Sequence, residues 1–366
     1  MQRSPLHAFA IAILLSPCAL APARADDDPQ GEAAKPSPKS AGPKSPAEQK
    51  IEAALNLRKL GKFDEALAAL KEVAAPGNPA KVRADALYRT GETWFRKGQD
   101  ASEEKLPGVA SEPCFREAIK VLSDAVKELP QEETTPDCVY LTGSSYLMLN
   151  ELDKAMVEYG KAYSNYPKFD RRSTALTRIA VCQAGLDDAR GAQTTLLRVL
   201  REFPAQPAPD QNKVRKVLNE LQLVGLPAPP IQASKWIDGL VGPEGLKTFD
   251  GEVIVLVFFA TWCTHCKAEL PRMRSLIRTW SAKGVTFLGV NDPEDPKSVE
   301  PVGVYVKKHD LPFLDVALDV GARSNMAYRV QGFPAGVIID RKGRVRWRGH
   351  MTFFPTQLLA KALAEK

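Results

Sequence analysis

Two cysteines three positions apart, in Cys263-Thr264-His265-Cys266, are the residues of this 366-residue chain best suited to chemistry. Thiols at this spacing serve either as half of a zinc site or as a redox pair. A zinc site wants a second pair of ligands. None follows in this part of the chain, and the four histidines are scattered. No metal and no cofactor is expected. The redox alternative needs a thiolate, the nucleophile of thiol–disulfide exchange. In that chemistry Cys263 forms a mixed disulfide with a partner, and Cys266 resolves it.

The flanking sequence supplies the position such a pair requires. Val-Ile-Val-Leu-Val-Phe-Phe at 253–259 is a continuous β-rich apolar run, as expected of a strand buried on both faces. After the pair, Leu270, Met273, Ile277 and Trp280 recur at helical spacing. The pair therefore stands where a buried strand turns into a helix N-terminus. Unpaired N–H groups and the positive end of the helix dipole favour a thiolate at Cys263, with Cys266 one turn on. Trp262 directly before Cys263, and Pro271 five residues after Cys266, sharpen the pattern.

Ala260-Thr261-Trp262-Cys263 and Glu269-Leu270-Pro271 resemble the exported TlpA/ResA-type thiol–disulfide oxidoreductases of the thioredoxin superfamily. The likeness runs over roughly 228–366, beginning at Ala228-Pro229 and Trp236-Ile237-Asp238-Gly239. It implies an α/β domain, a central mixed sheet flanked by helices. Gly332-Phe333-Pro334-Ala335 resembles the segment that carries the family's cis-proline, which implies that Pro334 faces the cysteine pair. Only about one X–Pro bond in twenty is cis, so spacing alone does not give this. The helical stretch near 299–308 falls where this subfamily carries an insertion.

Departures from cytoplasmic thioredoxin matter too. Val257, six residues before Cys263, stands where thioredoxin has a buried aspartate. Glu269, three after Cys266, matches the acidic residue of the TlpA/ResA group, which implies a proton-relay role; an exposed helix carboxylate is the competing reading. His265 could donate to the Cys263 thiolate and stabilise the reduced form. Lowering the thiol pKa from about 8.5 to about 7 makes attack only about threefold faster, because nucleophilicity falls with basicity. The larger expected consequence is a potential above thioredoxin's, about −270 mV.

The remainder of the chain reads as helices. Leu57, Leu60, Phe63, Leu67 and Leu70 open the helical periodicity. Ala118, Ala155 and Ala192 recur every 37 residues, as do Pro130, Pro167 and Pro204. A small residue lets two helices approach, and the proline ends the second helix of each pair. These features, with Gly61 and Ala66 in an earlier copy, resemble tetratricopeptide repeats and imply an all-α array that binds a protein partner. Residues 98–113 read as an inserted loop, and Val214, Val217, Leu218 and Leu221 as a final capping helix.

Export is expected from residues 1–25: Arg3, an apolar stretch from Leu6 to Leu15, then the small-x-small site Ala23-Arg24-Ala25. Pro17 before Cys18 argues against a lipoprotein anchor. The divisions are thus 1–25 signal, 26–48 tether, 49–225 repeats and 228–366 redox domain, in the periplasm or cell envelope. Cleavage takes two positive charges from the net +6, leaving +4. That surplus is too diffuse for nucleic acid, and no apolar run spans a membrane. Five cysteines remain. Cys114, Cys138 and Cys182 lie in the array, either with Cys114–Cys138 as a staple or as buried thiols. Arg344, Arg346 and Arg348 alternate onto one strand face, read as solvated, and His309 and His350 receive no role.

The expected activity is exchange with protein thiols or disulfides of a redox partner. An envelope scaffold with a structural cysteine pair is the alternative. A thiol peroxidase fits less well, because Ala260 stands where a threonine would be needed.

Overall fold

A computed structural model describes residues 44–205, 207–293 and 301–365. The expected signal segment, Cys18 and most of the tether lie outside the described residues, as do residues 299–300 of the insertion. Ser45–Lys366 close into one compact unit.

Its first half is an array of antiparallel helix pairs: α1 (Pro46–Lys59) with α2 (Phe63–Val73), α3 (Ala80–Ser102) with α4 (Ser111–Glu128), α5 (Thr135–Met148) with α6 (Leu152–Asn165), and α7 (Arg172–Gly185) with α8 (Ala189–Glu202). Ala66, Ala118, Ala155 and Ala192 occupy the second helix of each pair and are fully buried, the close-approach role their spacing implied. Pro130, Pro167 and Pro204 follow directly on the ends of α4, α6 and α8. Leu60 departs from the periodicity: it caps α1 and is exposed.

Residues 98–113 are not all loop. Helix α3 continues through Gly98 to Ser102, and α4 starts at Ser111, leaving a shorter connection. Contact explains it, since a Cβ at Gly98 would stand 2.8 Å from the Phe115 ring. Glycine is what lets α3 run on beside α4. Helix α9 (Ala208–Leu221) ends the stack, with Val214 and Leu221 buried against α7 and α8.

The second half holds β1 (Lys235–Trp236), β2 (Val253–Phe259), α10 (Thr264–Ser281), β3 (Val285–Asn291), α11 (Val302–Lys308), β4 (Asp315–Leu318), α12 (Arg323–Ala327), β5 (Ala335–Ile339), β6 (Val345–His350) and α13 (Thr356–Ala364). The sheet order is β1-β4-β3-β2-β5-β6. β2, β3 and β4 are parallel, while β1, β5 and β6 run antiparallel to their neighbours. This is the thioredoxin-like mixed sheet. β2 is central and wholly buried, so its alternating side chains feed two cores. Val253, Val255, Val257 and Phe259 pack with α10 and α13; Ile254, Leu256 and Phe258 pack on the other face with Tyr328.

Two of the three arginines read as solvated are covered, and Arg344, just before β6, is not. Arg348 is 3% exposed and paired with Glu220 of α9. Arg346 meets Asp187, after α7, at 2.7 Å. Arg344 is exposed, and its guanidinium donates to the carbonyl of Gly225 at 2.9 Å. Strand alternation put the three on one face, and the array covers that face at Arg346 and Arg348.

Candidate functional site

Cys263 is the N-cap of α10, and its Sγ accepts the Cys266 N–H at 3.1 Å. A helix N-terminus carries unpaired donors, and here one of them is aimed at sulfur. The thiol is driven down to about 6. Its hydrogen bond with the Cys266 side chain contributes most; burial opposes; the Cys266 and His265 N–H groups and the charge of His265 add to the lowering. Cys266 goes the other way, well above the ordinary thiol range, first by burial and then by the hydrogen bond and charge of Cys263. One thiol is thus prepared to attack, and the other holds its proton.

The neighbours fit that division. Cys266 is fully buried, with Val257 in the same apolar cluster, so no carboxylate sits beneath the pair at that position. The Phe333–Pro334 bond is cis, and Cys263 Sγ lies 3.8 Å from the Phe333 carbonyl oxygen. The Trp262 ring is edge-on to Phe333 at 5.9 Å and 41% exposed, an apolar rim beside Cys263. His265 is exposed on the first turn of α10.

Glu269 is partly buried rather than fully exposed. Its Oε1 accepts from Thr352 Oγ1, its Oε2 is buried without a protein partner, and its charge contributes to raising the Cys266 pKa. Sequence reasoning missed Thr352 and Phe333. Phe333 had a signal, an aromatic directly before the proline. Thr352 had none, since its contact with Glu269 spans 83 positions.

The three array cysteines are separate buried thiols, so the Cys114–Cys138 staple is not formed. Cys138 packs with Phe95 and Phe115, and burial pushes it and Cys182 up to about 12. Burial raises Cys114 as well. Such thiols are poor nucleophiles at neutral pH. Among the described residues no group of three His, Cys, Asp or Glu side chains is placed to hold a metal ion.

Residues 224–348 match the AhpC/TSA family, and 137–168 and 174–205 match tetratricopeptide repeats. Over 100 residues, 27% of this chain and 56% of the relative, it is 35% identical to the thiol-disulfide oxidoreductase ResA of Bacillus thuringiensis subsp. konkukian. The thioredoxin-like protein YneN of Bacillus subtilis is 31% identical over 103 residues, 28% of this chain and 59% of the relative. A crystal structure of a putative thiol:disulfide interchange protein DsbE from Chlorobium tepidum aligns at 25% identity and TM-score 0.31, covering 38% of this chain and 98% of that one. The chain spans somewhat over half the length of the curated relatives it matches. The family matches and the two sequence relatives support a ResA/TlpA-like domain of the thioredoxin superfamily, preceded by tetratricopeptide-like repeats.

Proposed function

We propose that this chain is an exported thiol–disulfide oxidoreductase, with residues 228–366 as the redox domain and 49–225 as a repeat array that holds a protein partner. The observation that carries the reading is the geometry of the pair: Cys263 caps α10 with its Sγ accepting the Cys266 N–H at 3.1 Å beside the cis Phe333–Pro334 bond, and Cys266 is fully buried, which drives the two thiols in opposite directions. The Cys263 thiolate attacks a partner disulfide, forming one mixed disulfide and releasing one partner thiolate. Cys266 then gives up its proton, attacks Cys263 Sγ and frees the second partner thiol. The partner gains two electrons and the Cys263–Cys266 pair loses two; the reverse sequence oxidises a partner. Pro334 and Trp262 frame the incoming disulfide, and Glu269 takes the proton of Cys266.

Export rests on the leader pattern at 1–25, and among the described residues no helix is long and apolar enough to cross a membrane. A peroxidase lacks the hydroxyl it would need, because buried Ala260 stands there.

The reduction potential tests the reading. At pH 7, moving a nucleophilic thiol from thioredoxin's value of about 7 to about 6 favours the reduced form by about 1 kcal/mol, or about 20 mV. Raising Cys266 adds almost nothing, because an ordinary thiol is already protonated at pH 7. Equilibration with glutathione should give a two-electron potential above about −270 mV. A value at or below about −270 mV, or no transition, overturns it.

A further inference from the structure

Three consecutive residues after β6 reach three different parts of the molecule. The Met351 N–H donates to the carbonyl oxygen of Pro334 at 3.1 Å. Its Sδ uses the room left by Gly336, where a Cβ would stand 2.5 Å away. Thr352 Oγ1 donates to Glu269 Oε1, and the Thr352 N–H donates to His350 Nδ1 at 3.2 Å. Phe353 keeps one ring contact with the redox domain, to His350 of β6 at 6.4 Å, and otherwise turns to the array. It packs against the array cluster of Tyr140 and Tyr159, with the Arg178 guanidinium carbon 4.9 Å from its ring centre. Together, Met351–Phe353 form a 3₁₀ turn.

The array grips the following residues as well. Asn150, in left-handed backbone at φ 57° between α5 and α6, donates to Thr356 Oγ1 and accepts from Gln357 Nε2 at 3.0 Å. Pro355 lies close to Gly185 of α7, where a Cβ would stand 3.3 Å from it and 2.5 Å from Leu152 of the array. Asn150, Glu269, Arg272, Met351 and Thr356 also share the wall of one cavity of about 50 Å³, enough for a water. Arg272 lies on that wall and Arg178 beyond Phe353. A carboxyl whose field reaches Cys266 is therefore held at one oxygen by a turn that the array holds in place.

We propose that the array is a working part of the redox centre: by seating Phe353 and Thr356 it fixes the 3₁₀ turn, and the turn positions Glu269 and Pro334 for disulfide closure by Cys266. Phe353, Thr352 and Asn150 are positioning residues in this scheme, and the scheme rests on the exchange reading above. It adds that the array acts on the chemistry and does not only carry a partner. In the opposing arrangement Met351 and Phe354, both buried in the redox domain's own core, hold the turn unaided.

The test uses the full reduced chain mixed with oxidised glutathione, followed by acid quench and mass analysis across pH 5–9. The glutathione–Cys263 mixed disulfide forms first; Cys266 then attacks Cys263 and expels glutathione. Phe353→Ala and Thr352→Val should each slow this closure at least about threefold at pH 7, and the double variant should be no slower than the slower single one. Asn150→Gly, which keeps the left-handed backbone and leaves the array core alone, should slow closure in the same direction and carries the test if Phe353→Ala does not fold. Folded Phe353→Ala or Asn150→Gly with the wild-type rate-against-pH profile, or effects that simply multiply in the double variant, overturn the proposal. A wild-type chain that never closes its disulfide overturns the exchange reading itself.

Discussion

Replacing Cys266 by serine should stop turnover with the partner still attached. The Cys263 thiolate, with its hydrogen bond from the residue 266 N–H and its place at the head of α10, survives the change in part. It can still attack a disulfide, but nothing resolves the product. Mixed disulfides should therefore accumulate on Cys263, and catalytic reduction of insulin should fall by about a thousandfold or more, the scale of losing a reactive group. Cys263→Ser should lose the same activity and trap nothing, because Cys266 is buried, protonated and out of reach of a partner. A Cys263→Ser chain as active as the wild type would support the scaffold reading instead.

The second large effect concerns stability and lies away from the cysteines. Arg348→Ala should cost about 3–5 kcal/mol, because it strands the carboxylate of Glu220 in the contact between β6 and α9. The side chains are 2% and 9% exposed, so water cannot take over the lost partner. Arg348 also donates to the Arg329 carbonyl at 2.9 Å, and Arg329 in turn donates to Asn219 at 2.9 Å, so the loss spreads along α9. Replacing both partners, as Arg348→Met with Glu220→Leu, should recover most of that stability, because the desolvation cost of both charges disappears. Urea unfolding of the full chain, followed by tryptophan fluorescence, measures both. A cost under about 1 kcal/mol for Arg348→Ala would mean that the pair is solvated.

What could be read from the chain differs by the range of the interaction involved. β2, the start of α10 and the alanine–proline rhythm of the array are local patterns, and each falls where its side-chain period places it. Pro334 was legible only through resemblance, since nothing local dictates a cis bond there. Contacts across the array–redox boundary left no trace in sequence. Arg346 and Arg348 looked like a solvated stripe because the array carboxylates that cover them, Asp187 and Glu220, lie more than a hundred positions earlier, although Arg346 also pairs with Asp340 and Glu365 of its own domain. The same is true of Phe353, whose neighbours Tyr140, Tyr159 and Arg178 belong to the array. Periodicity tells which face of an element is covered, but not by what.

The central claim is that the head of α10 holds Cys263 as a thiolate while Cys266 keeps its proton. The pH profile of alkylation of the reduced chain by iodoacetamide, read residue by residue, measures this directly. The structure predicts modification of Cys263 alone, with the rate half-maximal near pH 6 and level by neutrality. A rate still climbing toward pH 9, as for an ordinary thiol, or equal modification of Cys266, would contradict it.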